Sequence, residues 1–301
     1  MATDNTDWSL FRSFITVLRE GSLSAAARAL GLGQSTLSRH IATLESGLGL
    51  TLFTRSSDGL VPTAAALALR PEAEALAAAA NSLFRAASGP LNENVGTVRI
   101  AASDMMAVEV LPSILASLQR EHPQIVVELA VSSRMDDLQR RDADIAVRMA
   151  RPSQEALVAQ RIGASELGLF AHPGYLAHQG TPTTLSELAE HAFVGFDVGA
   201  AYTDTLQLDG QRLTRERFSL RTDNDLAQFA AICSGCGVGA CHAILAERAE
   251  LVRILPALFA PKVDMWVAMH KDLRSTARYR TVFDALKVGL TAYLASAKAA
   301  A

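Results

Sequence analysis

A short polar segment near residue 34 carries side chains that suit hydrogen bonding to nucleic-acid bases. Gln34 offers a donor and an acceptor, which fits an adenine edge, and Arg39 can reach guanine or a phosphate. The nearby hydroxyl side chains suit phosphate contact, helped by a helix N-terminus. The candidate DNA-contacting residues are Ser24, Gln34, Ser35, Thr36, Ser38, Arg39 and Arg55.

Some of these residues also have a purely structural interpretation. Ser24 and Ser35 lie where helix N-caps are expected, and serine is a favoured N-cap residue. Arg55 lies in a predicted loop tip, where a solvated arginine is common.

The local pattern predicts three helices around this segment. Apolar residues recur at helical spacing over residues 8–18, and Gly21 ends that run. A second helix is predicted from Ser24 to Leu30, followed by the Gly-Leu-Gly break at residues 31–33. A third helix starts at Gln34. Two short helices joined by a tight glycine turn are typical of a helix-turn-helix.

The next segment predicts a wing and a long helix. Two short apolar runs, at 52–53 and 60–61, flank a polar tip and predict a β-hairpin. Residues 63–87 are rich in alanine and leucine, which favour helix. Pro71 falls within this run, so we expect two helical pieces or a bend there. Residues 88–96 are rich in turn formers and predict a linker.

The predicted long helix carries an apolar stripe formed by Leu67, Leu76, Leu83 and Phe84. One interpretation is a dimer seam, because a long exposed apolar stripe would otherwise be a liability. The alternative is that the helix packs on the rest of its own chain.

Beyond residue 96, apolar and amphipathic runs alternate. Strands are predicted at 98–101, 125–131 and 145–147, with helices at 108–120 and 136–141. This βαβαβ order predicts a parallel sheet with helices on both faces. A second such unit begins at Leu167, and a strand at 265–269 and a helix at 281–294 close the chain.

Fixed-spacing motifs in the first third of the chain resemble those of LysR-type transcription regulators. They are Ser22-x-Ser-x-Ala-Ala, Gln34-Ser-x-x-Ser, Leu44-Glu, Leu48-Gly and Leu52-Phe-x-Arg. Weaker similarities follow at Leu111-Pro, at residues 143–148 and at residues 234–239. So many matches over about forty residues are more specific than a helix-turn-helix pattern alone.

The resemblance implies an α/β protein overall. An N-terminal all-α winged helix-turn-helix (1–62) and a long linker and dimerisation helix (63–90) precede a C-terminal two-lobed α/β, periplasmic-binding-protein-like effector domain (91–301). Lobe I is expected at about 91–162 and 268–301, and lobe II at about 163–267. The implied function is sequence-specific transcription regulation under control of a small-molecule effector in the cleft between the lobes. The implied partners are double-stranded DNA, a second copy of the chain in a homodimer or homotetramer, the effector and RNA polymerase.

By the same resemblance, loops at the strand ends supply effector contacts. The candidates are Ser103, Asp104, Met105, Ser132, Ser133, Arg148, Phe196, Thr222, Asp223 and Asn224. Asp104 departs from the Ser or Thr common at that position. It either argues against a simple carboxylate effector or pairs with Arg148. Structural roles are the alternative, with Ser103 as a helix cap and Arg148 in a salt bridge between the lobes.

Three cysteines lie within nine positions, followed by His242. Cys233, Cys236 and Cys241 could be structural, redox-active or part of a metal site. Metal binding is disfavoured because there is no second matched pair of ligands. Cys241 is expected to begin a helix, whose N-terminus would lower the pKa of its thiol.

Composition and motifs disfavour several other classes of protein. Half of the residues are apolar and 20% are charged, which is typical of globular domains. We find no catalytic motif, cofactor fingerprint or metal triad, and we expect His122, His172, His178 and His191 at the surface. We therefore expect neither an enzyme nor a cofactor. No apolar run predicts a membrane span or a secretory signal, so a cytoplasmic location is expected.

Charge argues modestly against a nucleic-acid binder. The net charge is −3, and the first sixty residues contain five arginines, five acids and no lysine. Any DNA binding must therefore use a few well-placed arginines, helix N-termini and backbone amides.

Overall fold

The computed structural model describes residues 7–56, 59–132, 138, 141–152, 154, 156–197, 207–208, 211–212 and 215–296. The chain divides into two compact units. The first comprises Met1–Phe84 with Arg140–Asp142, and the second comprises Arg85–Gln139 with Ala143–Ala301. Among the described residues, no helix is long and apolar enough to cross a membrane.

The first unit begins with three short helices and a β-hairpin. Its elements are α1 (Trp8–Glu20), α2 (Leu23–Leu30), α3 (Gln34–Leu48), β1 (Phe53–Ser56) and β2 (Gly59–Pro62). The two strands pair antiparallel, as the predicted wing requires. Each helix ends at a glycine with positive φ, which avoids the strain that a Cβ would add there. Phe14, Leu37 and Leu44 are almost fully buried in the core between the helices.

The helix caps differ from those expected. Ser22 caps α2, because its extended backbone lets its side chain accept a hydrogen bond from the Ala25 amide. Gly33 occupies the N-cap of α3 and makes no side-chain cap. The predicted cap roles of Ser24 and Ser35 are therefore wrong, since both residues lie inside the first turn of their helices.

The long helix α4 (Ala64–Ala86) is continuous, with Pro71 inside it. The expected division into two pieces is wrong. Pro71 removes one backbone hydrogen bond, but alanine-rich sequence on both sides keeps the helix intact. Ala66 and Ala73 are buried in the first unit, whereas Leu67, Leu76, Leu83 and Phe84 are exposed.

The second unit contains the remaining elements. Its helices are α5 (Leu111–Glu121), α6 (Pro173–Gln179), α7 (Leu185–Ala189), α8 (Asp225–Cys233), α9 (Ala243–Arg248) and α10 (Ala277–Ser296), with a π-helical turn at Met106–Val110 and 3₁₀ turns at Arg215–Arg217 and Lys271–Ser275. Its strands are β3 (Gly96–Ala102), β4 (Ile125–Val131), β5 (Ile145–Arg148), β6 (Leu157–Ala171), β7 (Phe193–Phe196), β8 (Gln207–Leu208), β9 (Gln211–Arg212), β10 (Leu220–Thr222), β11 (Val238–His242), β12 (Val252–Ile254) and β13 (Lys262–His270). Much of the predicted helix at 136–141 lies outside the described residues.

The expected parallel pairing is confirmed for the first three strands of this unit, β3, β4 and β5, whereas the sheet as a whole is mixed. Its strand order is β10-β7-β11-β6-β13-β5-β3-β4, with β12 also paired to β6. Strand β3 pairs parallel to β4 and β5, and β7 pairs parallel to β10 and β11. The antiparallel pairs all involve β6 or β13. The periodicity of a sequence predicts individual strands, but it does not predict which distant strands pair with each other.

Strand β6 joins two lobes of this unit. Its first part pairs with β13 beside β5, β3 and β4, which we call the first lobe together with α5 and α10. Its last part pairs with β11 and β12 beside β7 and β10, which form the second lobe with α8. The predicted residue bounds of the domains and lobes stay predictions.

Candidate functional site

The first turns of α3 present a polar face on a firmly packed helix. Leu37, Ile41 and Leu44 are buried and hold one side of α3 in the core of the first unit. On the other side, Gln34, Ser35, Ser38 and Arg39 are exposed, and Thr36 is half-buried. Residues three and four apart lie on one helix face, so these side chains form one polar surface.

Three hydrogen-bonding side chains to which the sequence analysis gave no role fix the position of α3. Ser13 Oγ lies 2.8 Å from His40 Nδ1, which joins α1 to α3. Glu45 Oε1 accepts hydrogen bonds from the backbone amides of Leu52 at 2.7 Å and Phe53 at 3.2 Å. The wing strand β1 begins at Phe53, so Glu45 positions the wing on the polar helix. The Leu-Glu motif marked this position without revealing its role.

The other two candidate DNA-contacting residues lie near this helix in sequence. Ser24 is exposed in the first turn of α2, with its hydroxyl 3.5 Å from that of Ser22. Arg55 lies in strand β1 of the hairpin, and its side chain is outside the described residues.

The second unit contains a pocket between its two lobes, at the ends of several strands. Its cavity volume is about 50 Å³, within about 580 Å³ of space that includes open solvent. Three predicted effector contacts line it: Ser103 and Met105 from the end of β3, and Phe196 from the end of β7. Strand ends and helix N-termini are common ligand positions in α/β folds.

A hydrogen bond between side chains crosses from one lobe to the other at this pocket. Asn224 Nδ2 donates to Asp104 Oδ2. The oxygen of the same amide caps α8 by accepting from the Ala227 amide at 2.9 Å. Asp104 follows β3 in the first lobe, so it is tied to the start of α8 in the second.

The other predicted effector residues that the structure describes do not line the pocket. Thr222 Oγ1 accepts from the Asn224 amide at 3.2 Å, and Asp223 is exposed. Arg148 is buried, with Nη1 donating to the carbonyl of Val147 at 3.0 Å. Ser132 is half-buried and its amide donates to the Ala102 carbonyl. Ser133 lies outside the described residues.

Gln228 and His242 are two of the pocket residues that the sequence analysis did not predict as effector contacts. Gln228 on α8 is buried, and its Nε2 donates to the Ala240 carbonyl at 2.7 Å. His242 ends β11, with its Nδ1 2.8 Å from Ser165 Oγ, and burial lowers its pKa to about 4. A glutamine within the apolar stretch of α8 was the one available sequence signal.

Comparison with known proteins identifies the family. Residues 8–67 match the bacterial regulatory helix-turn-helix protein, lysR family, and residues 91–290 match the LysR substrate binding domain. The chain belongs to the LysR family. It is therefore a LysR-type transcriptional regulator with a DNA-binding helix-turn-helix and an effector-binding domain, and the predicted fold class and function are confirmed.

Relatives with similar architecture span nearly the whole chain. The transcriptional regulator PtxR of Pseudomonas aeruginosa is 28% identical over 290 residues, covering 91% of this chain and 90% of that protein. CrgA of Neisseria meningitidis is 26% identical over 283 residues, covering 91% and 93%. The full-length structure of the Vibrio cholerae virulence activator AphB superposes with a TM-score of 0.62 at 21% identity, covering 94% of this chain and 99% of that one.

The cysteines of this LysR-type regulator do not share one environment. Cys236 is exposed, Cys233 is half-buried and Cys241 is buried, and all three are free thiols. Cys241 lies inside strand β11, so its expected place at the start of a helix is wrong. Burial raises the pKa of its thiol, opposite to the predicted direction. Within the described residues, no group of three or more His, Cys, Asp or Glu side chains could hold a metal ion.

One of the four histidines expected at the surface is buried. His191 lies against Tyr175, with its Nδ1 3.2 Å from the phenol oxygen. Its expected surface position is wrong, because the turn beside it is covered by helix α6.

Proposed function

We propose that this LysR-type regulator reads its operator through the exposed polar face of α3. The observation that carries this proposal is the contrast between the two sides of that helix. Gln34 and Arg39 are exposed at its start, while Leu37 and Leu44 anchor its opposite side. A helix held in this way can enter the major groove without losing its own packing.

The proposed roles differ along this surface. Gln34 and Arg39 read base edges or phosphates. Ser35, Thr36, Ser38 and Ser24 contact phosphates, which fix the register of the protein on the duplex. Arg55 on the wing reaches the backbone or the minor groove.

The proposed effector site is the pocket between the two lobes. Ser103, Met105 and Phe196 line it. Asp104, Ser132, Ser133, Arg148, Thr222, Asp223 and Asn224 are proposed as the surrounding effector-binding residues. Effector binding there would change the Asp104–Asn224 contact between the lobes and so alter DNA binding or promoter activation.

The proposed oligomer is a homodimer formed along α4. Leu83 and Phe84 are 67% and 68% exposed, which is costly for adjacent large apolar side chains. A second copy is the proposed occupant, because a winged unit reads one half-site and symmetric pairing supplies the second. A homotetramer and RNA polymerase are proposed as further partners. The protein is proposed to act in the cytoplasm, without catalysis or a cofactor.

Genome-wide footprinting of the purified protein, with a salt titration at each protected site, tests the proposal. We expect an imperfectly palindromic site whose occupancy falls steeply as salt rises. Absence of a protected site at every salt concentration would overturn it.

A further inference from the structure

His40 lies at the edge of the polar face of α3 and is held there through one ring nitrogen. Its Nδ1 is 2.8 Å from Ser13 Oγ on α1, and Ser13 is almost completely buried. The other ring nitrogen, Nε2, is not buried and has no hydrogen-bond partner among the described residues. The bond to Ser13 therefore orients the ring and leaves Nε2 open to solvent.

The hydrogen bonds of Ser13 determine which ring nitrogen of His40 carries the proton. Ser13 Oγ donates to the Ser9 carbonyl at 2.8 Å, and a carbonyl oxygen can only accept. The single hydroxyl proton is used in that bond, so Ser13 Oγ must accept from His40 Nδ1. The neutral ring therefore has its proton on Nδ1, and its exposed Nε2 is an acceptor.

The position of His40 on α3 places it beside residues proposed to contact DNA. His40 follows Arg39 directly and lies four residues after Thr36, so Thr36 and His40 are one turn apart on the same side of the helix. Both side chains are half-buried and form the margin of the exposed surface. A helix in the major groove lies between the two sugar-phosphate backbones, so side chains on its margins face phosphates.

The charge next to His40 favours a protonated ring. Helices α1 and α2 pack against α3, and Asp7 at the N-cap of α1 is the charged group of these helices that interacts with His40. Hydrogen bonds from Ser9 and, less strongly, the charge of His40 lower the pKa of the Asp7 carboxyl. A nearby carboxylate in turn favours the charged form of an imidazole. The other described charged side chains of α1, α2 and α3 make no ion pair or hydrogen bond with His40; they are Arg12, Arg19, Glu20, Arg28, Arg39 and Glu45.

We infer that His40 is a proton-linked phosphate contact of the DNA-reading helix. The neutral ring cannot bind a phosphate oxygen through Nε2, because both atoms are acceptors. When a duplex docks on α3, Nε2 takes up one proton from the solvent, and the resulting imidazolium donates a hydrogen bond to a phosphate oxygen. Nδ1 stays bonded to Ser13, so the ring keeps its orientation. DNA binding is then tighter at mildly acidic pH. This inference rests on the proposed role of α3 in reading DNA.

The pH dependence of duplex binding tests this inference. The full-length protein is titrated into a fluorescent duplex of mixed sequence, about 30 base pairs long, and anisotropy gives the Kd at pH 8 and pH 6 at one low ionic strength. We expect the wild-type affinity to rise about 5- to 10-fold at pH 6, because one proton is taken up on binding. His40→Gln removes the titrating ring, so it should match the wild type at pH 8 and rise less than about 2-fold at pH 6. The control His178→Gln removes an exposed histidine of α6 and should keep the wild-type rise.

Two further measurements distinguish a phosphate contact from a purely structural role of His40. At pH 6, His40→Gln should reduce the slope of log affinity against log salt concentration by about one, the value for one phosphate contact. At pH 8 the wild type and the variant should share one slope. Ser13→Ala frees Nδ1, so the neutral ring can carry its proton on Nε2 and donate at pH 8. This second variant should therefore bind the duplex at pH 8 as tightly as the wild type or more so, with a smaller rise at pH 6, and it tests the inference even if His40→Gln does not fold.

Failure of this inference can be distinguished from failure of the proposed function. The same rise in affinity at pH 6 for the wild type and for either His40→Gln or Ser13→Ala would overturn the inference and leave the role of α3 in place. Absence of duplex binding by the wild type at both pH values would overturn the proposed function and this inference with it.

Discussion

Arg85 and Asp144 form a bidentate ion pair that is almost completely buried in the second unit. Arg85 Nε donates to Asp144 Oδ2 at 2.9 Å, and Nη2 donates to Oδ1 at 3.2 Å. Asp144 Oδ2 also accepts from the Arg99 amide of β3 at 2.8 Å. Arg278, fully buried on α10, donates to the carbonyls of Arg85 and Ala86 at the end of α4. Within the second unit, Arg85 and Ala86 are therefore held against β3 and α10.

Replacing Asp144 with asparagine should destabilise the protein strongly. The variant leaves the buried Arg85 guanidinium without its counter-charge, which typically costs about 3 kcal/mol. Urea unfolding followed by circular dichroism measures the free-energy change. The matched control is Glu74→Gln, which breaks the exposed Arg70–Glu74 pair on α4 and should cost less than about 1 kcal/mol. Equal losses in both variants would show that burial of the Arg85 pair is unimportant.

Replacing Gln34 or Arg39 with alanine should abolish operator discrimination while leaving the fold intact. Both side chains are exposed on α3, so their removal creates no cavity. Loss of a base contact should cost about 1–3 kcal/mol in discrimination, whereas loss of a phosphate contact should reduce the salt slope by about one. Footprinting and salt-dependent binding assays measure both. Arg70→Ala, which removes the same charge from α4, is the control. Wild-type footprints for both Gln34→Ala and Arg39→Ala would rule out this recognition helix.

Replacing Leu76 with aspartate should weaken self-association. Leu76 is 43% exposed on α4, on the apolar stripe proposed as the dimer seam. A carboxylate there would be buried against a second copy without compensation, which is strongly unfavourable. Sedimentation equilibrium measures the association. Val288→Asp is the control, because Val288 is also exposed, at 65%, but lies on α10. A Leu76→Asp dimer of unchanged affinity would exclude α4 as the seam.

Thiol labelling should distinguish the three cysteines of the native protein. Cys236 is exposed, whereas burial raises the pKa of both Cys233 and Cys241 and so lowers their thiolate fractions. With Ellman's reagent at pH 8 we expect one fast thiol and two slow ones. Cys236→Ser should remove the fast phase, and Cys241→Ser should not. A fast phase that survives in Cys236→Ser would place the reactive thiol elsewhere.

The parts of the fold that were predicted from the sequence are those determined by residues close together in the chain. The helix-turn-helix follows from apolar spacing within single helices and from glycines such as Gly31 that end them. The parallel pairing of β3 with β4 and β5 was predicted. The antiparallel pairing of β6 with β11, β12 and β13 was not, because it joins residues as far apart in sequence as Leu157 and His270. Even within the local region, whether Ser22 or Ser24 caps α2 depends on backbone angles that residue type does not fix.

The residues that line the pocket could also be predicted only in part from the sequence. Ser103 and Phe196 were predicted from family resemblance and do line it. Gln228 and His242 were not predicted, because their importance arises from tertiary contacts with Ala240 and Ser165. Apart from the polarity of Gln228 in an apolar stretch, nothing in the local sequence distinguishes Gln228 and His242 as site residues. They line a pocket only because distant strands come together in the fold.

His242 should make the stability of the second unit sensitive to mild acid. Its pKa is lowered from 6.5 to about 4 in the folded protein, so the folded state favours the neutral ring. In the unfolded chain the pKa of the ring is about 6.5, so the ring binds a proton as the pH falls below that value. Stability is therefore complete above pH 6.5 and is lost progressively as the pH falls towards 4. The expected loss is about 2 kcal/mol, less than the full shift implies, because the ring borders an open pocket.

Denaturant unfolding between pH 7 and 5 measures this dependence above the range in which most carboxylates titrate. Wild-type protein should lose stability across this range, and His242→Gln, which can keep a hydrogen bond to Ser165, should lose less. His178→Gln, an exposed histidine on α6, should behave as the wild type. Asp7, Glu187 and Asp264 have lowered pKa values, so they lose their stabilising charge only at lower pH and do not mimic the effect. The same pH slope in His242→Gln and wild type would show that His242 is not held neutral by the fold.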